Sequence, residues 1–208
     1  MDIRDRILVA TRKVYARHGF RGATTRLIAA EAGVNEVTLF RLFGSKAALV
    51  EAVMDQHAAR VPFPSLPETP RQPLAELIVW CDSVLTHMRA NRSLLRTAIG
   101  EIEERRNAAV SICEGPNCAG RALAEYGLRL QAAGRADRTA DVHTAVSMLM
   151  SALFGDALYR DVMPGAFPQP AADAPRRYVR AFLRTLGVEP ARPARRGPRR
   201  PRSAARSP

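Results

Sequence analysis

Apolar residues recur at spacings of three and four along almost the whole 208-residue chain, and no β-branched or aromatic run alternates with period two. A 3.6-residue period gathers such residues on one face of a helix, whereas a half-buried strand needs alternation. Ala, Leu and Arg, all good helix formers, are prominent throughout. The expected fold class is all-α. Hydrophobic residues make up 47% of the chain, enough to build a core. The longest apolar stretch, near 145–154, is broken by Ser147 and Ser151 and reads as a buried helix. A membrane span would need about 20 predominantly apolar residues. The N-terminus is charged at Asp2, Arg4, Asp5 and Arg6, and no export signal is read there. The expected location is cytoplasmic, with no membrane partner.

Capping signals divide the first sixty residues. A first helix is expected over about Asp2–His18, with Ile3, Ile7, Ala10 and Val14 on one stripe and Gly19 as its C-cap. Thr24 stands as N-cap of a short helix, Thr25–Ala32, which Gly33 ends. Asn35 caps a second short helix, Glu36–Phe43, and Ser45 caps a longer one from Lys46 to about Ala59. Five prolines (62, 64, 67, 70 and 73) make Val61–Pro73 an extended linker. Further helices are expected at about 73–90, 91–109, 116–133, 138–162 and 175–187.

The net charge of +12 suggests a nucleic-acid partner, but its distribution matters more than its sum. Residues 1–55 hold nine Lys/Arg against six Asp/Glu, and residues 56–189 hold sixteen against fourteen. The last nineteen residues hold seven Arg and no acid. The segment 189–208 also lacks apolar anchors and reads as a disordered Arg/Pro-rich tail.

Two short helices joined by a tight Gly-containing turn, within Thr24–Val50, form the unit that presents its second helix to a DNA major groove. Ala29 and Gly33 are small where the helices must cross closely, and Ile28, Val34 and Leu39 supply apolar residues to lock the crossing. The matching blocks are His18-Gly19-Phe20, Thr24-Thr25, Ile28-Ala29, Ala32-Gly33-Val34, Thr38-Leu39, Phe43, and Gly44-Ser45-Lys46 with Leu49. In this register the stretch Ile7–Leu49 resembles the DNA-binding domain of the TetR/AcrR family of helix-turn-helix transcriptional regulators. The resemblance implies a three-helix DNA-binding head over 1–45 and a helical-bundle ligand-binding and dimerisation body over 46–188, with the proline-rich linker at 61–73.

It also implies roles for residues. Thr24, Thr25, Phe40 and Lys46 would lie against phosphates, while Arg26, Asn35, Glu36, Val37, Thr38 and Arg41 would face or border the groove. The chemistry agrees for several of them: Arg can grip guanine O6 and N7 with two hydrogen bonds, and Lys can pair with a phosphate. Glu36, as a first helical residue, is also explained by the helix dipole alone. Two positions depart from the family pattern: Phe40 stands where Tyr is common, and Val37 where Gly is frequent.

For the body, the resemblance implies a buried effector cavity. Trp80, His87, Met88, Tyr126, His143 and Phe154 are the candidate lining residues, each with core packing as the plainer alternative. Cys113 and Cys118 are separated by four residues, Gly115-Pro116 among them, and His87 and His143 lie far off, so no metal-ligand spacing is present. Buried thiols and surface imidazoles are expected, with no metal and no cofactor. Glu101, Glu103 and Glu104 are not accompanied by a nucleophile elbow, phosphate loop or metal pair, so no enzyme is expected. Ala145, Ala152 and Gly155 on one helix, with Tyr178 and Phe182 on the last, are the expected homodimer interface. Val142, Val146, Leu149 and Leu153 are expected to face the protomer's own core. The reading is a repressor that binds a pseudo-palindromic operator in double-stranded DNA and is released by a small-molecule effector. The alternatives are a ligand-independent architectural DNA binder and a helical enzyme or carrier.

Overall fold

The computed structural model describes the backbone of residues 1–59, 64–103 and 106–188. Among these residues there are nine α-helices and no strand. They are α1 (Ile3–Gly22), α2 (Thr25–Ala32), α3 (Glu36–Phe43), α4 (Lys46–Ala59), α5 (Pro73–Ala90), α6 (Arg92–Gly100), α7 (Arg106–Ala132), α8 (Val142–Tyr159) and α9 (Ala174–Thr185). None of the helices described is long and apolar enough to cross a membrane. The expected tail, residues 189–208, lies outside the described residues, as does the start of the expected linker, 61–63.

Thr24, Asn35 and Ser45 each accept a backbone N–H of the helix they open, from Leu27, Val37 and Ala48 respectively. Capping of this kind satisfies donors that no helical carbonyl can reach. Along α1, Ile7, Ala10 and Val14 are buried as the stripe requires, but Ile3 is exposed. Helix α1 runs four residues past the expected stop, in a broken form: Gly19 sits at φ 64° and ψ −178° between two helical stretches.

Further boundaries differ from the sequence reading. The helix expected over 91–109 stops at Gly100, and the one expected over 116–133 begins at Arg106 instead, continuing through Gly115-Pro116. An interior proline costs a helix one donor and a clash worth about 3 kcal/mol. Packing of α7 against α4, α6 and α8 outweighs that cost. Helix α8 is shorter than expected, because Asp141 caps it by accepting the Thr144 N–H at 3.0 Å.

The body is closed by two polar knots within an apolar core that contains Leu77, Trp80, Leu85, Met88 and Leu153. The Glu76 carboxylate accepts the N–H groups of Arg71 (2.9 Å) and Gln72 (2.7 Å) at the start of α5, and the Tyr126 hydroxyl of α7 also donates to it. Asp156 on α8 is fully buried. It accepts from Arg89 of α5 (2.7 Å), Arg160 Nε (2.8 Å) and the Tyr178 hydroxyl of α9 (2.9 Å). A buried carboxylate survives only when its lone pairs are met in this way.

Burial pushes the Asp156 carboxyl up, but the hydrogen bonds from Arg160, Arg89 and Tyr178 outweigh it and hold the group below its ordinary value of 3.8. A depressed carboxyl stabilises the fold above the ordinary value, and that contribution is lost as pH falls through the lower folded value. Asp156→Asn should therefore cost about 2–3 kcal/mol at neutral pH, at the low end for a broken buried pair because the arginines retain some solvent. In thermal melts the gap between wild type and Asp156→Asn should narrow as pH falls below about 4. A gap independent of pH would contradict the ionised knot.

Candidate nucleic-acid interface

The expected head comprises α1 to α3. The α2–α3 turn is set by Gly33, which ends α2 at φ 64° and ψ 42°. This left-handed conformation suits glycine, and the N–H groups of Gly33 and Val34 fold back on the carbonyls of Ala30 and Ala29. Arg6, reaching across from α1, donates to the Ala32 carbonyl at 2.7 Å and the Gly33 carbonyl at 3.2 Å. A cation at this C-terminus meets both unpaired carbonyls and the negative end of the dipole. Arg6 was not singled out in the sequence, since nothing local couples it to a turn twenty-six residues away.

Leu39 is fully buried and anchors α3, while Ile28 and Ala29 bury the facing side of α2. That leaves Val37 71% exposed and Phe40 46% exposed on the outer face, beside Arg41. Two large apolar side chains in water next to an arginine make a surface suited to thymine methyls and guanine edges. Arg26 and Arg41 are exposed, and no carboxylate among the described residues lies in ion-pair range of either.

Other expected DNA-facing residues are already engaged. Thr25 donates its hydroxyl to Glu36 at 2.8 Å, which ties the starts of α2 and α3 together. Glu36 is thus a brace within the head. Thr24 and Asn35 act as caps, and Thr38 is half-buried. Lys46 donates to the Phe20 carbonyl at 2.8 Å and lies 4.2 Å above the Phe20 ring. Its ammonium is held against α1 as well as being placed near the α4 start.

The same Phe20 carries the joint to the body. Its N–H donates to Glu101 Oε1 at 2.7 Å, and the Tyr15 hydroxyl donates to Glu101 Oε2 at 2.7 Å. Glu101 follows the last residue of α6. A side chain at Gly19 would place a Cβ 2.7 Å from Glu101 Oε1, so the carboxylate can sit against the broken turn only because residue 19 is glycine. Sequence reading noted Glu101 as a body carboxylate without a role. No spacing signal links it to Phe20.

The six expected lining residues separate. Trp80, Met88 and Tyr126 are fully buried in the core and line neither cavity described here. His87 lines a crevice of about 200 Å³ between α1, α4 and α5, with Arg12, Gln56 and Asn91. His143 and Phe154 line a larger cleft of about 580 Å³ between α7 and α8. Of the expected interface residues, Ala145 and Phe182 are buried within the chain, because α8 and α9 turn those faces onto α5. Tyr178 also turns inward, to Asp156. Ala152 and Gly155 remain half-exposed on α8. Cys81 is buried, and burial pushes its thiol up to about 12. Cys118 is exposed, contrary to expectation, and the Cys113 side chain lies outside the described residues.

Comparison with known proteins gives the same picture for the head. Residues 7–53 match the family described as bacterial regulatory proteins, tetR family. The chain is 44% identical over 54 residues to the HTH-type transcriptional regulator YvkB of Bacillus subtilis, a match covering 26% of this chain and 29% of that protein. The chain thus spans under a third of this curated relative. Two solved structures share the whole architecture. One is a TetR-family transcriptional regulator of Mesorhizobium loti, with TM-score 0.70, 19% identity, and coverage of 88% of this chain and 95% of that one. The other is Salmonella enterica GusR, with TM-score 0.67, 22% identity, and coverage of 88% and 95%. At these identities the likeness is one of fold.

The geometry separates two substitutions. Arg41→Ala removes an exposed group with no ion-pair partner and should leave the melting temperature unchanged while weakening binding to a preferred DNA site by about 1–3 kcal/mol. Lys46→Ala should weaken all DNA sequences alike and also lower the melting temperature, since it releases the Phe20 carbonyl. An equal loss for preferred and random DNA on Arg41→Ala, read by fluorescence anisotropy, would contradict base reading.

Proposed function

We propose that this chain, whose residues 7–53 match the tetR family of bacterial regulatory proteins, is a sequence-specific DNA-binding repressor released from its operator by a small molecule. The observation that carries this reading is the outer face of α3, where Val37 and Phe40 stay exposed beside Arg41, which has no ion-pair partner among the described residues, on a helix anchored by fully buried Leu39. An exposed apolar–cationic face on a rigid support is explained by a partner that covers it.

Double-stranded DNA with two-fold symmetry calls for a two-fold symmetric protein, so the active form is a homodimer. The surface proposed for it is the half-exposed stripe of α8 containing Met148, Ala152, Gly155 and Tyr159, at spacings of four, three and four. The outer face of α9 is less suited, since Arg176, Arg177, Arg180 and Arg184 are exposed there and a second copy would oppose like charges. The dimer sets two α3 helices in successive major grooves, about 34–36 Å apart or a multiple of it. A ligand that favours another arrangement of the body moves the heads off that spacing, and DNA affinity falls by its differential affinity for the two states. The proposed domain division follows: head through about residue 45, body through 188.

Selection of bound duplexes from a random pool by the full chain tests this directly. The expected result is enrichment of an inverted repeat, with Met148→Glu sedimenting as a monomer and losing the preference. Uniform retention of the pool, with steep salt dependence and no preferred sequence, would favour the architectural reading instead.

A further inference from the structure

We infer that the cleft between α7 and α8 is a binding site for an amphipathic organic acid, a carboxylate carried on an apolar body; the inference rests on the regulatory reading for its purpose but not for its geometry. At its closed end α7 and α8 touch, and a Cβ on Gly127 would lie only 2.6 Å from Val142 Cγ1. Two turns earlier on α7 the helices have spread, and a Cβ on Gly120 would stand 3.9 Å from Met150 and 4.0 Å from Val146. The opening holds about 580 Å³, within the roughly 300–1,000 Å³ usual for ligand pockets.

Polar and apolar side chains alternate along the α8 wall, with His143, Ser147 and Ser151 among Val146, Met150 and Phe154, and α7 contributes Arg121. No acidic residue among the described ones lines the cleft. Several other arginines of the body are matched to oxygen: Arg89 and Arg160 to Asp156, Arg92 and Arg96 to Asp161, and Arg135 to the carbonyls of Pro70 and Arg71. Arg121 donates instead to the Cys118 sulfur at 2.9 Å, and no carboxylate among the described residues pairs with it. A thiol is a weak acceptor, readily displaced by an anion. A guanidinium offering a planar fork to a carboxylate, beside apolar side chains, selects an acid over its neutral or cationic analogue. His143, Ser147, Met150 and Phe154 lie on a different side of α8 from Met148, Ala152 and Tyr159, so a second copy on the proposed dimer face leaves the cleft open.

Calorimetric titration of the full chain with 4-phenylbutyrate and dodecanoate, against 4-phenylbutanol and 4-phenylbutylamine, tests the assignment. At least one acid should bind, and Arg121→Gln should weaken it about tenfold or more, the usual worth of a hydrogen bond to a charged group. The alcohol should bind more weakly than the matching acid, and the amine weakest of all. Ser151→Trp, which fills the cleft from an exposed position, should abolish binding at an unchanged melting temperature. Absence of binding by both acids, equal affinity for acid and amine, or indifference to Arg121→Gln would overturn the site. DNA affinity is read in parallel: an acid that binds through Arg121 but leaves DNA binding unchanged upholds the site and overturns ligand-controlled release.

Discussion

The orientation of the head rests on one carboxylate. Glu101, at the end of α6, accepts the Phe20 N–H and the Tyr15 hydroxyl, while Lys46, at the start of α4, holds the Phe20 carbonyl and covers its ring. Two elements from distant parts of the chain, α4 and α6, therefore meet on a single residue of α1. Hydrogen bonds with an ionised partner are about twice as strong as neutral ones and narrower in geometry. Gly19 makes the arrangement possible twice over, by taking a positive φ that breaks the helix and by leaving room for the Glu101 oxygen.

A second charged knot lies elsewhere and does a different task. Asp156 ties α5, α8 and α9 together, whereas α7 packs against α4 and α6, the helices that begin with Lys46 and lead to Glu101. Under the proposed function, a ligand that spreads α7 from α8 acts on the helix in contact with both arms of the Phe20 joint. The stiff side of the body, held by buried charge, then serves as the reference against which the other side moves.

What could be read from the sequence was whatever depends on near neighbours. The caps at Thr24, Asn35 and Ser45, the left-handed Gly33 and the buried run Val142, Val146, Leu149 and Leu153 all follow from spacings of a few residues. What escaped depends on partners far apart in the chain. Nothing near Arg6 announces the Ala32 carbonyl, and nothing near Glu101 announces Phe20. The continuity of α7 through Pro116 is not legible locally, because a proline's cost is local while the packing of α7 comes from three other helices. Phe182 and Ala145 were placed outside because an amphipathic stripe does not say which of two partners, the protomer's own core or a second copy, will cover it.

The claim that Glu101 fixes the head is most directly tested by amide hydrogen exchange across residues 15–23 in wild type and Glu101→Gln. The neutral amide keeps an acceptor oxygen but loses the charge, and only one of its two polar atoms can accept. Faster exchange confined to this segment and to the start of α4, with body helices α5, α8 and α9 unchanged, is the predicted result. Identical exchange in the two proteins would show that the head is held by packing alone and that the carboxylate joint carries no share of the coupling.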